Sequence, residues 1–325
     1  MSQHEIVSAY CADIGTNRLL VQAAGGNISW KTSETLWVKA SGTWLADAKQ
    51  KNIFLPVDLR SIKEKISEGN YEFGLQNSRG GPLRPSIETL FHALITSTIV
   101  LHTHSVEALA TLVRKDADLE IEKKIGQSLD WILLDYHKPG PKLAKAIHDA
   151  LKNKPSANVI FMRNHGIIIG GESIQEVDGM LKYILSALRQ EVHYKALAVK
   201  DPPEIPGYRV ASDTDVHSLV QHEILRKRLN TDWVLYPDHV IFLDQVAEND
   251  LSNIGCTGAP THLFIPDIAV YERLNITRAA RSQLLCYLDV VCRQLESAEL
   301  IKLSKTEINE LLNWDAEKFR QSINK

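Results

Sequence analysis

The chain lacks the features that mark membrane, secreted and nucleic-acid-binding proteins. None of its apolar runs approaches the roughly 18 to 20 residues that a membrane-spanning helix needs. The segment 1–5 lacks the basic and apolar regions of a signal peptide. The formal net charge of −3 leaves no basic excess for nucleic acid or for an anionic membrane surface. We therefore expect a cytoplasmic protein that binds neither nucleic acid nor membrane.

Cysteine is scarce and unclustered. The chain has four cysteines, and no two of them form a CxxC pair, which excludes the usual zinc-binding and redox motifs of that kind. In a cytoplasmic protein, widely spaced cysteines are expected to be buried free thiols. These residues are Cys11, Cys256, Cys286 and Cys292.

The length and one proline-rich segment predict the domain organisation. A chain of 325 residues is long for a single domain and short for three, so we expect one large domain with an addition. The clearest linker is the segment 201–207, which holds three prolines and a glycine. We therefore predict a catalytic domain over residues 1–204 and a smaller α/β extension over residues 205–325.

Strand and helix patterns alternate along the first region, which indicates an α/β fold and by itself favours a parallel sheet. A β-hairpin is predicted over 28–40, and a strand over 19–24 leads into a glycine turn. Asp58 can cap a helix over 59–68, and a long amphipathic helix is predicted over 176–197.

The predicted elements of the second region are less regular. Short strands are expected around 233–235 and 239–243, and a long helix over 277–296. Ser304 and Glu307 form a capping-box pattern at the start of the last helix. The succession of 240–243, 262–271 and the long helix resembles residues 158–170 and their following helix, which suggests a partial repeat without its histidines.

Three histidines carry the strongest chemical signal. His102 and His104 alternate at the end of an apolar strand, where side chains at i and i+2 point to the same face. His165 lies in a turn between two further strands, 158–162 and 166–170. Three imidazoles with an open fourth position are typical of a catalytic zinc site. We expect one zinc ion per subunit.

Small polar residues at predicted turns suggest an anion pocket beside this site. Glycine turns present backbone N–H groups, and neighbouring hydroxyl and amide side chains extend such a cradle for phosphate or carboxylate. Glu88 opens a helix 14 residues before His102 and could either ligate the metal or act as a general base. The predicted pocket residues are Asn27, Ser29, Ser41, Gly42, Thr43 and Ser86.

Together these motifs resemble the class II aldolase/adducin family. The segments that carry the resemblance are Gly26-Asn27-Ile28-Ser29, Ser41-Gly42-Thr43, Pro85-Ser86-Ile87-Glu88, His102-Thr103-His104 and Asn164-His165-Gly166, spread over about residues 1–200. The resemblance implies an α/β/α sandwich with a central, mainly antiparallel sheet, in place of a parallel one. It also implies His102, His104 and His165 as zinc ligands, Glu88 as the acid/base residue, a sugar phosphate or sugar acid as substrate, and a homo-oligomer, most commonly a tetramer.

The sequence departs from the small sugar-phosphate aldolases of that family in two ways. Ser86 is followed by Ile87, whereas many phosphate-using members carry two serines before the glutamate. With one hydroxyl fewer, this chain need not require a phosphate group on its substrate. Residues 205–325 have no counterpart in those enzymes. The segment 238–243 and the segment at Pro139-Gly140 resemble the aldolase part of large bacterial proteins that join a rhamnulose-phosphate-aldolase-like region to a dehydrogenase, although no glycine-rich dinucleotide fingerprint follows here.

Three functions remain open on this reading. The first is a zinc-dependent lyase that cleaves a ketose phosphate or related sugar acid through a metal-stabilised enediolate. The second is an epimerase, decarboxylase or dehydratase that uses the same zinc site. The third is a non-catalytic, adducin-like interaction module, which loss of the histidines would favour; all three are present.

Overall fold

The computed structural model describes residues 1–75, 77–78, 80–249 and 259–324. The first region is built on a seven-stranded sheet in the order β3-β2-β1-β4-β7-β6-β5. Every neighbouring pair is antiparallel except β5 and β6, which are parallel. The strands are β1 (Asn27–Lys31), β2 (Thr35–Lys39), β3 (Phe54–Asp58), β4 (Ile99–Thr103), β5 (Trp131–Leu134), β6 (Val159–Met162) and β7 (Gly166–Gly171).

Helices cover both faces of this sheet. They are α1 (Gln3–Gly15), α2 (Leu59–Ser67), α3 (Thr89–Leu94), α4 (Val106–Leu112), α5 (Ala117–Lys124), α6 (Pro141–Asn153) and α7 (Ile174–Ala187). Along β4 the side chains alternate as expected for a strand buried on both faces. Ile99 and Leu101 pack with α1, α5 and α7, whereas Val100 packs with α3 and α6. The α/β/α sandwich and the mainly antiparallel sheet are therefore confirmed.

The alternation of strands and helices favours a parallel sheet, and that prediction is wrong. Among described strands that are neighbours in this sheet, only β5 and β6 are connected directly by an α-helix, α6, and only that pair is parallel, as the geometry of crossover connections requires. Tight connections instead make hairpins of β1 with β2 and of β6 with β7.

Several local predictions are confirmed. The hairpin over 28–40 forms as β1 and β2. Asp58 caps α2 by accepting a hydrogen bond from the backbone N–H of Ser61 at 2.9 Å. The capping box of Ser304 and Glu307 is also present. Of the four cysteines, Cys11, Cys286 and Cys292 are buried free thiols, and Cys256 lies outside the described residues.

Other local predictions are wrong, each for a tertiary reason. Residues 19–24 form a turn rather than a strand, in which Leu20 and Val21 donate to the carbonyl of Asn17. The helix predicted over 176–197 ends at Ala187, because the following segment bonds to other elements; Gln190 N–H, for example, donates to Glu107 at 3.1 Å.

The two short strands expected around 233–235 and 239–243 are absent. Val234 has a positive φ of 66°, which a strand does not allow. Residues 237–242 are helical, and Pro237 occupies the first turn, where its missing N–H costs nothing. A short apolar run does not distinguish a strand from a buried helix. The partial repeat therefore loses its first strand.

The second region adds a small three-stranded antiparallel sheet and six helices, counted over its described residues. The strands are β8 (Tyr208–Val210), β9 (His262–Ile265) and β10 (Ala269–Arg273), in the order β8-β10-β9. The helices are α8 (Ser218–Gln221), α9 (Glu223–Thr231), α10 (Pro237–Phe242), α11 (Arg278–Val291), α12 (Lys305–Leu312) and α13 (Asp315–Ile323).

Helix α4 contributes to the cores of both regions. Its residues Ala108 and Leu112 pack with the first region, whereas Val106 and Leu109 pack with the apolar cluster of the second. The border between residues 204 and 205 stays a prediction. Residues 1–204 are called the first region and residues 205–325 the second region. Within the described residues, no helix combines the length and the apolar character that crossing a membrane requires.

Candidate metal centre and adjoining cavity

The sheet register brings the three predicted histidines together. His102 lies on β4, and His104 follows the strand on the same face. Because β4 pairs with β7 in the register Thr103 to Ile167, the turn that holds His165 lies beside the end of β4. All three side chains are buried, and one nitrogen from each lies within 4.8 Å of the other two.

Gly166 makes this close approach possible. Its φ is +156°, and a Cβ there would lie 2.4 Å from the carbonyl oxygen of Thr103 and 3.3 Å from ring atoms of His102 and His104. Asn164, two residues earlier, adopts the left-handed conformation with φ of 56°, which asparagine tolerates better than most residues. The Asn-His-Gly sequence thus fits the backbone that delivers His165.

The imidazole of His102 is arranged as a neutral ligand. Its Nδ1 lies 2.9 Å from the carbonyl oxygen of Ile167, which only a protonated Nδ1 can use as a hydrogen-bond acceptor. Nε2 then carries the lone pair and faces Nε2 of His104 at 3.0 Å. Burial lowers the pKa of His102 to about 3, so the ring is uncharged at neutral pH. A neutral imidazole is the form that binds metal ions.

Glu88 closes one side of the cluster. One carboxylate oxygen, Oε1, lies 3.2 Å from Nε2 of His165, and Oε2 lies 3.5 Å from Nε2 of His102. Burial raises the pKa of Glu88, but the imidazoles of His102 and His165 lower it by a larger amount. The pKa of Glu88 therefore lies well below its usual range. Oε1 is buried, and among the described residues no donor approaches it in good hydrogen-bonding geometry. Three imidazoles and an unsatisfied carboxylate oxygen fit a divalent cation such as zinc.

A hydrogen-bonded chain holds Glu88 in place and includes a residue that the sequence reading missed. Asn27 donates from Nδ2 to Oε2 of Glu88 at 2.7 Å, and its Oδ1 contacts Nε2 of His92. Nδ1 of His92 lies 2.8 Å from the hydroxyl of Ser29. His92 stands four residues after Glu88 on α3, and that helical spacing was the available signal.

A small polar cavity adjoins the histidines. Of the predicted pocket residues, Asn27, Ser41, Gly42 and Ser86 line it, together with Glu88. Ser29 and Thr43 are not on its wall. Ser29 supports His92, and the hydroxyl of Thr43 donates to the carbonyl of Ala40 at 2.7 Å. The further lining residues are Ala24, Gly25, Gly26, Lys39, Ile87, His104, Pro139, His165, Pro237, Asp238 and Arg320.

Lys39 is a buried cation on the cavity wall. It is the last residue of β2, and its ammonium donates to the carbonyls of Ala24 at 3.0 Å and Thr43 at 2.6 Å. Burial, and secondarily the charge of Arg320, lowers its pKa to about 7. A lysine within an otherwise apolar strand end was the sequence signal for this residue.

The second region supplies two further charges to the same cavity. Asp238, on α10, places Oδ2 at 3.3 Å from Nδ1 of His104. Arg320, on α13, donates to Oδ1 of Asp238 and also to Glu317 at 3.1 Å. Burial raises the pKa of Asp238, but Arg320 and His104 lower it more, so the pKa lies below its ordinary value. Neither residue stands in a metal- or anion-binding pattern, so the sequence reading did not assign either of them to the site.

The comparison with family models decides the assignment. Residues 5–192, more than half of the chain, match the model of the Class II Aldolase and Adducin N-terminal domain. The chain belongs to this family. The resemblance inferred from the five short segments is thereby confirmed.

This class II aldolase-family chain is similar to a curated relative and to several solved structures. The relative is the Bacillus subtilis (strain 168) protein named uncharacterized oxidoreductase YuxG, which is 28% identical over 281 residues. That alignment covers 77% of this chain but 39% of the relative, so the chain spans about two fifths of the relative's length.

Two solved structures illustrate the similarity. The N-terminal class II aldolase domain of a conserved protein from Thermoplasma acidophilum is 24% identical, with a TM-score of 0.48, over 57% of this chain and 92% of that one. The l-fuculose-1-phosphate aldolase from Thermus thermophilus is 18% identical, with a TM-score of 0.39, over 58% of this chain and 93% of that one.

Some residues of the site lie inside the part of the chain that matches the family model, and others lie outside it. The three histidines, Glu88 and Lys39 fall within residues 5–192. Asp238 and Arg320 fall beyond them. The cavity of this family member is therefore completed by side chains outside the domain that defines the family.

Proposed function

We propose that this protein is a zinc-dependent lyase that cleaves a ketose phosphate or a related sugar acid between two carbon atoms. The observation that carries the proposal is the cluster of three buried imidazoles that faces Glu88 across a small polar cavity. Family membership supports a metal-dependent enzyme, and the cavity residues give the proposal its chemical content.

The roles of the residues follow from their positions. His102, His104 and His165 would hold the cation, which when bound supplies positive charge to stabilise the oxygens of the substrate while a neighbouring bond breaks. Glu88 lies within reach of that position and can take or return a proton at the adjacent carbon. Asn27 fixes the carboxylate of Glu88 by its hydrogen bond at 2.7 Å.

The wall of the cavity suits an anionic substituent. Ser41, Gly42 and Ser86 line it with hydroxyl and backbone groups, and the buried basic side chains of Lys39 and Arg320 line the same cavity. Either a phosphate or a carboxylate would be stabilised by this wall. The single serine before Ile87 leaves both groups as substrates to test.

An epimerase, decarboxylase or dehydratase on the same site is the second candidate. The observation that favours it is the position of the Glu88 carboxylate against the imidazoles, 3.2 Å from Nε2 of His165, since proton transfer beside a carbonyl serves these reactions as well as aldol cleavage. A non-catalytic, adducin-like role is weakened by the presence of all three histidines. The Bacillus subtilis relative is named an oxidoreductase, but this chain aligns with 39% of that protein, and residues 205–325 contain no glycine-rich dinucleotide fingerprint.

A substrate panel tests the proposal. Zinc-loaded protein is incubated with ketose 1-phosphates, ketose 4-phosphates and their unphosphorylated forms, and release of aldehyde or of carbon dioxide is measured. We expect aldehyde release, its loss in His104→Ala together with the metal, and retained metal without exchange of the substrate C–H proton in Glu88→Gln. Full activity of a metal-free preparation would exclude both metal-dependent candidates.

A further inference from the structure

The second region places a carboxylate directly behind one of the three histidines. Asp238 is 2% exposed, and its Oδ2 lies 3.3 Å from Nδ1 of His104. The other nitrogen of the same ring, Nε2, faces Nε2 of His102 at 3.0 Å. The two nitrogens of His104 therefore point to different partners, one to the histidine cluster and the other to the second region.

We propose that Asp238 is a positioning residue for the metal ligand His104, an inference that rests on the metal centre proposed above. A carboxylate at Nδ1 accepts the Nδ1 proton, which leaves the lone pair on Nε2, where the cluster needs it. Carboxylates commonly orient metal-binding histidines in this way and increase their basicity. The carbonyl of Ile167 makes the equivalent contact to His102 from within the first region.

The surroundings of Asp238 hold it in this position. Arg320 donates to Oδ1, and Gln283 donates to Oδ2 from 3.4 Å. Arg320 is fixed in turn by Glu317, which accepts two hydrogen bonds, at 3.2 and 3.1 Å. The carboxylate thus presents Oδ1 to the arginine and Oδ2 to the imidazole and to Gln283.

The backbone of the first region is packed against the same contact. A Cβ atom added to Gly25 would lie 2.8 Å from Oδ2 of Asp238 and 2.8 Å from Nδ1 of His104. A residue with a side chain could not occupy this position without displacing one of the two groups. The contact between Asp238 and His104 is therefore enclosed from both regions.

A purely structural role for Asp238, as the partner of Arg320, makes a different prediction. Asp289 provides a matched control, because it is also a mostly buried aspartate of the second region that pairs with arginines, at 3.3 Å from Arg18 and 3.9 Å from Arg293. If an ion pair of the second region were all that mattered, Asp289→Asn and Asp238→Asn would disturb the metal centre to a similar extent.

The experiment measures the affinity for Co²⁺ from its visible absorption, in the full chain and without substrate. We expect Asp238→Ala to weaken Co²⁺ binding by roughly 10- to 100-fold and Asp238→Asn to weaken it less, because the amide oxygen can still accept the Nδ1 proton. Asp289→Asn should bind Co²⁺ within about 2-fold of the wild type, since it touches no ligand.

The outcomes separate this inference from the proposed function. If the wild type binds no Co²⁺, the metal centre itself is wrong. If the wild type binds Co²⁺ and both Asp238 variants bind equally well, the positioning role is wrong. Should Asp238→Ala fail to fold, Asp238→Asn decides, and equal losses in Asp238→Asn and Asp289→Asn would overturn the inference in favour of a structural role.

Discussion

The two regions of the chain contribute to one cavity in different ways. The first region carries the three imidazoles and Glu88 at strand ends, in turns and at a helix start, where the backbone of a buried sheet fixes them. The second region carries Asp238 and Arg320 on two short helices that reach the cavity by packing. The predicted metal ligands stand in readable motifs, whereas Asp238 and Arg320 come near them only in the folded chain.

The largest expected effect comes from within the first region. Gly166→Ala introduces a Cβ at 2.4 Å from the carbonyl oxygen of Thr103, in a backbone conformation that side chains rarely adopt. Because backbone atoms on β4 would have to shift, we expect a loss of roughly 3 kcal/mol or more in the free energy of unfolding, together with loss of metal binding. Chemical denaturation and elemental analysis measure the two effects.

Gly179→Ala is the matched control for that variant. Gly179 lies on α7, and a Cβ there meets nothing within 4 Å. Alanine should therefore stabilise the helix slightly and leave metal content unchanged. A Gly166→Ala protein with wild-type stability and metal content would show that the sheet ends do not require this glycine.

The second prediction concerns a variant that removes two hydrogen bonds between the regions. The side-chain amide of Asn164 donates to two carbonyls of the second region, Leu235 at 2.9 Å and Ile301 at 2.7 Å. Asn164→Ala removes both hydrogen bonds and the residue best suited to a φ of 56°. We expect a loss of about 2 to 3 kcal/mol in the free energy of unfolding.

Metal affinity sharpens the result for Asn164. His165 is the adjacent residue, so the variant should also bind Co²⁺ more weakly than the wild type. Asn153→Ala is a suitable control, because Asn153 is exposed and its amide donates only within its own helix, to Asp149. If Asn164→Ala matched Asn153→Ala in both measurements, the two hydrogen bonds of Asn164 to the second region would contribute nothing to stability or to metal binding.

The smallest expected effect concerns pH and the buried Lys39. Its pKa is about 7 in the folded protein, whereas an unfolded lysine titrates near 10.4. Between these values the unfolded chain binds more protons, so the contribution of Lys39 to stability rises as the pH rises from 7 towards 10.4. Below pH 7 both states are protonated and the destabilisation is complete.

Lys39→Met should remove this pH dependence. The gain in the free energy of unfolding of Lys39→Met over the wild type should be larger at pH 6 than at pH 9, by about 2 kcal/mol. The comparison is made by urea denaturation at the two pH values, with the exposed Lys49→Met as control. An equal difference from the wild type at both pH values would contradict a lowered pKa for Lys39.

The same contrast between regions explains what could be predicted from the sequence. The hairpin of β1 and β2, the cap at Asp58 and the three histidines depend on spacing over a few residues, and all were found. The direction of the sheet required the family resemblance, because alternation of strands and helices is equally compatible with hairpins that lie between helices. His92 and Lys39 lie close to predicted site residues in sequence, but their roles depend on partners elsewhere in the chain.

Residues of the second region were missed because their positions depend on long-range contacts. Asp238 meets His104 across 134 positions of sequence, and Arg320 lies a further 82 positions on. A strand was predicted over 239–243, where most of the residues belong to the buried helix α10, because a short apolar run fits either element. Pairings of this kind leave no local pattern to read.

Helix α4 has a consequence for any attempt to isolate the family domain. A fragment that ends at residue 204 would retain every predicted metal ligand, yet it would leave Val106 and Leu109 without the second region that covers them. Uncovered apolar surface of this kind promotes self-association. The boundary that is most natural in the sequence is therefore a poor place to cut the protein, and a soluble catalytic fragment would need new polar residues on α4.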